Sequence, residues 1–297
     1  MTVLVEKHNI TQEHPAFKIL DDLAFKSKNL YNAALYVNKI EFTNSEKHIG
    51  KYDLISRFIK ENQVNYRSLP ANVSQQVIIQ LEQNWKSFFA AYKEWLKNPD
   101  KFKAKPRIPQ FKDKINGRNV LIYVQGCISK KWFKKHQEIK LVGLENFTIP
   151  TKLSYDQIKQ VQITFHNYYY CINVIYTKDP IVDNDLDSSK VASIDLGTQN
   201  LATLAFNKDS APLIVPGGPL ISINQWYNKN LAQMKSALPQ GIYTSKAIQK
   251  FSYIRKNKIK DYMHKTSKKI VDVLLKTKTS TLVIGYNPLW KQNVNIG

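Results

Sequence analysis

Val191-Ala-Ser-Ile-Asp-Leu-Gly-Thr-Gln-Asn-Leu-Ala-Thr-Leu-Ala-Phe206 is the stretch on which the reading of the fold turns. An apolar run ends in Asp195, Gly197 permits a tight turn, and Leu201 to Phe206 is a second apolar run of strand length. The pattern predicts a hairpin with a carboxylate at its bend. A carboxylate at the end of a buried strand makes a rigidly held metal ligand whose oxygens stay open to solvent. An Asp before a Gly in a hairpin is also ordinary turn chemistry, so these letters alone support both readings.

Around this stretch the chain is strongly basic. Its 297 residues leave room for about two domains. The 44 Lys and Arg against 23 Asp and Glu give a formal charge of +21, an attractive field for polyanions. Nucleic acid is the partner this charge implies. A membrane surface is the rival polyanion, but no apolar run approaches the roughly 18 residues of a spanning helix, and no lipidation motif is present. Glu6 and Lys7 make the N-terminus too charged for a secretory signal, so a cytoplasmic protein is expected. Cys127 and Cys171, the only cysteines, lie far apart and form no Cys-x-x-Cys pair, which indicates neither a disulfide framework nor a zinc site.

Upstream, apolar residues from Phe17 to about Glu41 recur at three and four and predict a helix with one buried stripe. Lys28, Asn29 and Asn32 fall on its polar, positive face, which suits phosphates or plain solvation. Tyr52 to Ile59 reads as a short helix, and Ser68-Leu-Pro-Ala-Asn72 as a break ending in an N-cap. A long helix follows, with Val73, Val77, Leu81, Trp85, Phe88, Phe89, Tyr92 and Trp95 on one stripe. That stripe reads as core rather than as a stacking platform, with Lys86 facing outward.

Lys101-Phe-Lys-Ala-Lys-Pro-Arg-Ile-Pro-Gln-Phe-Lys-Asp-Lys114 alternates cations with apolar residues. Pro106 and Pro109 exclude a central strand and predict a sheet edge or an extended connection. A row of cations along an extended backbone suits a phosphate backbone better than a point ligand. The candidate nucleic-acid contacts are Lys28, Asn29, Asn32, Lys86, Lys101, Lys103, Lys105, Arg107, Lys112, Lys114 and Arg118. Asn119 to Ile128 alternates as a strand, Ser129 to Lys135 reads as a basic turn, and two β-rich runs flank a hairpin turn at His166-Asn167. Residues 101 to 178 thus predict a mostly antiparallel, barrel-like sheet, and the aspartate-rich 179 to 190 a linker. Beyond the Asp195 hairpin, Leu213 to Val215, two helices (222–238 and 244–276) and the strand Thr281 to Gly285 complete the pattern. Three strands, helices and a further strand open the ribonuclease H-like topology, in which the ends of the first and fourth strands lie side by side.

Assembled in this order, the blocks Lys28-Asn-Leu-Tyr-Asn-Ala-Ala-Leu35, Leu69-Pro-Ala-Asn-Val-Ser-Gln-Gln-Val77, Gln83-Asn-Trp-Lys-Ser-Phe-Phe89, Lys101 to Lys114, Ser193 to Thr203 and Leu282-Val-Ile-Gly-Tyr-Asn-Pro-Leu-Trp-Lys-Gln292 resemble the TnpB/OrfB family of insertion-sequence proteins. These are RNA-guided DNA nucleases with a RuvC-like domain. The resemblance implies an α+β chain in which a helical recognition lobe (17–100) is inserted in a wedge-like β-barrel (1–16 and 101–178). A linker (179–190) and the N-terminal part of an incomplete ribonuclease H-like, or RuvC-like, α/β domain (191–297) follow. It also implies guide RNA and target DNA as partners, Asp195 as the first catalytic carboxylate and metal ligand, and Mg²⁺ as cofactor.

The chain departs from that pattern at the fourth strand, where Gly285 stands in the place of the usual second carboxylate. No Asp or Glu follows Asp272, and the family's four-cysteine zinc segment and last aspartate-bearing helix are not found before Gly297. A metal pair concentrates about four positive charges and needs several acidic ligands. A C-terminally truncated, cleavage-impaired copy is therefore expected. Two other readings stay open: a non-catalytic RNA- or DNA-binding regulator, and an actin-like ATPase in which Asp-Leu-Gly-Thr would approach nucleotide phosphates. The second would need further glycine-rich loops, and none follows.

Overall fold

A computed structural model describes residues 1–180, 185–208 and 210–285. The chain forms two compact units, Met1–Pro180 and Ile181–Gly297, each a mixture of helix and strand.

The first unit opens with β1 (Thr2–Thr11), followed by α1 (Phe17–Ser45), α2 (Lys51–Lys60), α3 (Val64–Arg67) and α4 (Ala71–Lys97). Next come β2 (Leu121–Val124), α5 (Lys130–His136), β3 (Glu138–Lys140), β4 (Thr148–Pro150), β5 (Ile158–His166) and β6 (Tyr169–Lys178). The apolar stripes predicted for α1 and α4 are buried: Leu20, Leu30 and Leu35 on the first, Val73, Leu81 and Trp85 on the second. They share one hydrophobic cluster with Tyr123 of β2 and with Val161, Ile163, Ile172 and Val174 of the β5–β6 hairpin. Helices and sheet therefore cover the two sides of a common core.

Several local expectations are corrected. α4 begins before Asn72: Pro70 is its N-cap residue, its carbonyl accepts from Val73 and Ser74 N–H, and no side chain caps the helix. Ser129 to Lys135 is not a turn but the start of α5, capped by the Ser129 hydroxyl accepting from Trp132 N–H and anchored by buried Phe133. The strand expected from Asn119 to Ile128 shrinks to β2, because Gln125–Cys127 winds into a single 3₁₀ turn. The β5–β6 turn lies one residue later than read. His166 pairs with Tyr169, and Asn167 takes the left-handed backbone at φ 57°, a conformation asparagine tolerates better than most residues.

The antiparallel sheet runs β1–β6–β5–β2, with β1 paired along its whole length from Thr2↔Lys178 to Thr11↔Tyr169. The expected barrel is not closed among the described residues. β1 and β2 are edges of this sheet, and β3–β4 form a separate two-stranded ribbon. Cys127 and Cys171 are both buried.

The second unit contains β7 (Asp187–Asp195), β8 (Asn200–Phe206), β9 (Leu213–Pro216), α6 (Gly218–Ser236), α7 (Lys246–Lys276) and β10 (Thr279–Ile284). Its strand order is β10–β7–β8–β9. β7 and β8 are the antiparallel hairpin anticipated around Asp195, whereas β10 lies parallel to β7. The buried cluster here is small: Ile194, Ala202, Leu204, Val215 and Ile270. Pro219 sits in the first turn of α6, where a missing N–H costs nothing.

Candidate nucleic-acid interface and the carboxylate at Asp195

Within the Lys101–Lys114 segment, residues 105–113 form the connection between a bend at 102–104, after the 3₁₀ turn that ends at Lys101, and the turn that Lys114 opens. Residues 105–113 join no strand ladder, as the two prolines require. Two side chains of α1 hold it. Asn32 exchanges a reciprocal pair of hydrogen bonds with the backbone of Lys112, Nδ2 to the carbonyl at 2.9 Å and Oδ1 from the N–H at 2.9 Å. Lys28 Nζ donates to the Lys114 carbonyl at 2.6 Å. Four residues of helix rise about 6 Å, and two residues of extended chain span about 6.6 Å, so the pair Lys28/Asn32 matches Lys114/Lys112 in step. The clamp ends at Asn119, whose N–H donates to the Ala24 carbonyl and whose Nδ2 donates to Ser27 Oγ and Gln80 Oε1.

This geometry gives Lys28 and Asn32 anchoring contacts within the fold. Lys28 is 2% exposed. Burial, followed by the nearby charge of Arg118, holds its ammonium below the usual lysine range, against the opposing pull of Asp113. Asn29 is half-buried, and Lys86 is exposed and paired with Glu82 one helical turn away. Lys112 is half-buried, with its ammonium over the Tyr31 ring. Lys101 reaches Glu94 at 3.4 Å. Lys103, Lys105, Arg107 and Lys114 are exposed along the segment, and Lys105 lies over the Tyr92 and Trp95 rings of α4. Through the clamp the structure brings Lys28 and Asn32 to the segment that carries Lys101, Lys103, Lys105, Arg107, Lys112 and Lys114. Four of the segment's cations remain exposed without a carboxylate partner among the described residues.

Arg118 is locked. Its Nε and Nη2 donate to the two carboxylate oxygens of Asp21 at 2.7 and 2.8 Å, while Tyr170 Oη donates to the same carboxylate at 2.7 Å. Burial works to raise the Asp21 pKa, but these hydrogen bonds and the guanidinium charge outweigh it and leave the carboxyl below its usual range. Sequence reading missed Asp21 and Tyr170, because an acid on a basic helix and a tyrosine in a strand give no sign of partners 97 and 149 residues away. The sign of the linkage follows. With a depressed folded pKa, the stabilisation is fully present above the unfolded value near pH 4 and is lost as pH falls through the folded value. Asp21→Asn is therefore expected to lower stability at neutral pH and to flatten the acid limb of a urea-unfolding pH series. An unchanged acid limb would contradict the assignment.

In the second unit Asp195 ends β7, exposed, opposite Thr203 of β8. The pairing Ile284↔Ile194 brings Gly285 beside Asp195 at the adjoining strand end. A Cβ at Gly285 meets nothing within 4 Å, so the place expected for a second carboxylate is spatially open but chemically empty. Asp261 and Asp272 lie on α7, exposed and paired with Lys265 and Lys268. Among the described residues no group of three His, Cys, Asp or Glu could hold a metal ion. The donor set present does not fit a metal pair.

The loop after Asp195 is pressed on Gly217, which precedes α6. Gly217 N–H donates to the Gln199 carbonyl, and a Cβ there would stand 1.9 Å from the Thr198 carbonyl oxygen. The φ of Gly217 is an ordinary −87°, so only space demands glycine. Gly217→Ala should displace the Asp195 loop and cost about 1–3 kcal/mol of second-unit stability. Faster amide exchange confined to β7 and β8 would be its signature, and unaltered exchange there would refute it.

Residues 172–290 match a family model described as OrfB_IS605, probable transposase. The matched stretch includes Asp195, Gly217 and Gly285, and begins within β6. No curated protein matches the chain. Similar solved structures include a Cas12f1–sgRNA–target DNA complex, 14% identical over 93% of this chain and 66% of the other, with TM-score 0.49. Another is a CRISPR-Cas12f ternary complex, 14% identical over 91% and 62%, with TM-score 0.31. The chain spans less than two thirds of the length of either. No described helix is long and apolar enough to cross a membrane.

Proposed function

We propose that this chain is a nucleic-acid-binding protein of the TnpB/OrfB transposase kind, holding guide RNA and target DNA and impaired in cleavage. The observation that supports the reading best is the Lys101–Lys114 segment, a row of exposed cations on an extended backbone that α1 clamps in place. Extended cation rows neutralise successive phosphates. In this reading α1–α4 form the recognition lobe, the antiparallel sheet is the wedge, and β7–β10 with α6 and α7 are the start of a RuvC-like domain.

Asp195 is then the first carboxylate of a nuclease site. Mg²⁺ is the cofactor that the resemblance implies, but one exposed carboxylate beside a glycine does not supply its ligands, and no cleavage step is assigned. That same donor set favours a second reading, a binding protein or regulator without catalysis. Both readings expect binding to labelled RNA or DNA to fall steeply as salt rises. Anisotropy titrations at several salt concentrations test this, and salt-independent or undetectable binding would overturn it.

A further inference from the structure

The stripe on α4 divides at Trp85. Up to that residue it is core; beyond it Phe88, Phe89, Tyr92 and Trp95 are only half-buried. The rings of Phe88, Tyr92 and Trp95 form a ladder, with centroids 5.7 and 5.8 Å apart and planes inclined by 25° and 22°. A cleft of about 670 Å³ opens along it, lined by Phe42, Phe88, Phe89, Tyr92, Lys105 and Ile108 among others. Lys105 Nζ lies 5.4 Å from the Tyr92 ring centre and 5.5 Å from that of Trp95, without an ion-pair partner among the described residues. Exposed Lys93, Lys97, Lys103 and Arg107 flank the same helix end and segment.

Half-exposed aromatic faces in graded stack, beside cations on an extended chain, are the two components of a single-strand binding site. Glu46 also lines the cleft and disfavours a phosphate inside it, leaving phosphates to the Lys105 side. We infer that unpaired bases of a single-stranded nucleic acid stack on Tyr92 in the cleft and on Trp95 beside it, with Lys105 moving from the rings to the adjoining phosphate. This site rests on the nucleic-acid reading above and adds to it a preference for unpaired strands.

The test uses the full chain with three probes: an oligodeoxythymidine strand, an abasic strand of equal length and a duplex. Tryptophan quenching and affinity are read together. The thymidine strand should bind roughly tenfold or more tightly than the abasic one. Tyr92→Ala with Trp95→Ala should erase that difference, Tyr92→Phe with Trp95→Phe should retain most of it, and duplex affinity should stay unchanged in both. Equal binding of base-bearing and abasic strands, or an alanine variant that keeps the preference, overturns the site while leaving phosphate binding intact. Quenching by a proline-rich peptide but by no strand assigns the cleft to a peptide and overturns it too. Failure of all three probes to bind overturns the nucleic-acid reading itself and the site with it.

Discussion

Replacing Lys103, Lys105 and Arg107 together by alanine is expected to weaken duplex binding by roughly a hundredfold near physiological salt, and to reduce the slope of log affinity against log salt by about 2.7. Each phosphate neutralised on B-form DNA contributes about 0.9 to that slope, and these three side chains are exposed on a segment whose backbone is fixed from α1. Fixing the backbone matters, because cations on a chain already ordered lose little further entropy on binding. The same substitutions leave the fold intact, since none of the three side chains is buried. Lys86→Ala is the internal comparison. Its ammonium already neighbours Glu82 on an exposed helix face, so the slope should change by less than one contact. Unaltered affinity and slope in the triple variant would remove the extended segment from the interface.

Trp85→Ala should cost about 3–5 kcal/mol and lower the melting temperature of the first unit alone. The indole is fully buried, with Phe42, Phe89 and His48 rings 5.1 to 5.8 Å from its own. It joins α4 to the α1 end and to the residues before α2, so its loss leaves a cavity where three elements meet. Its Nε1 has no hydrogen-bond partner among the described residues, and a buried donor left unmade carries a penalty of about 1–3 kcal/mol. Trp85→Phe, which removes that donor together with part of the ring, should therefore cost much less than the alanine change. Calorimetry on both variants separates the terms. A single melting transition that moves as one for both units would contradict the division of cores between Met1–Pro180 and the smaller cluster around Leu204.

What the sequence made legible is what short-range periodicity encodes. The Asp195 hairpin followed from two apolar runs about a glycine, and α1 and α4 from apolar stripes at helical spacing. The Lys101–Lys114 segment was readable as extended because two prolines forbid a ladder. Contacts between distant segments were not readable. Lys28 and Asn32 stand out as polar residues one turn apart, yet only the folded chain shows that their step equals two residues of the strand-like segment they hold. Arg118 looked like one more phosphate contact until Asp21 and Tyr170 were brought to it. α5 escaped because seven lysine-rich residues show no apolar stripe; a cap at Ser129 and one buried phenylalanine suffice to form it. The aromatic stripe of α4 has uniform spacing over two different environments, which no pattern of letters distinguishes. Nothing in the letters around Gly217 marks it as the seat of the Asp195 loop.

Binding with and without cleavage remains the question on which the reading of Asp195 rests. The 297-residue chain, its Asp195→Asn variant and a nucleic acid that both bind can be incubated with Mg²⁺ and resolved for strand scission. Equal binding by the two, with no scission that depends on Asp195, is the expected result, because Gly285 supplies no second carboxylate beside it. Mg²⁺-dependent scission by the parent chain that Asp195→Asn abolishes would contradict it, and would mean that this donor set, or one completed by the bound nucleic acid, holds the metal after all.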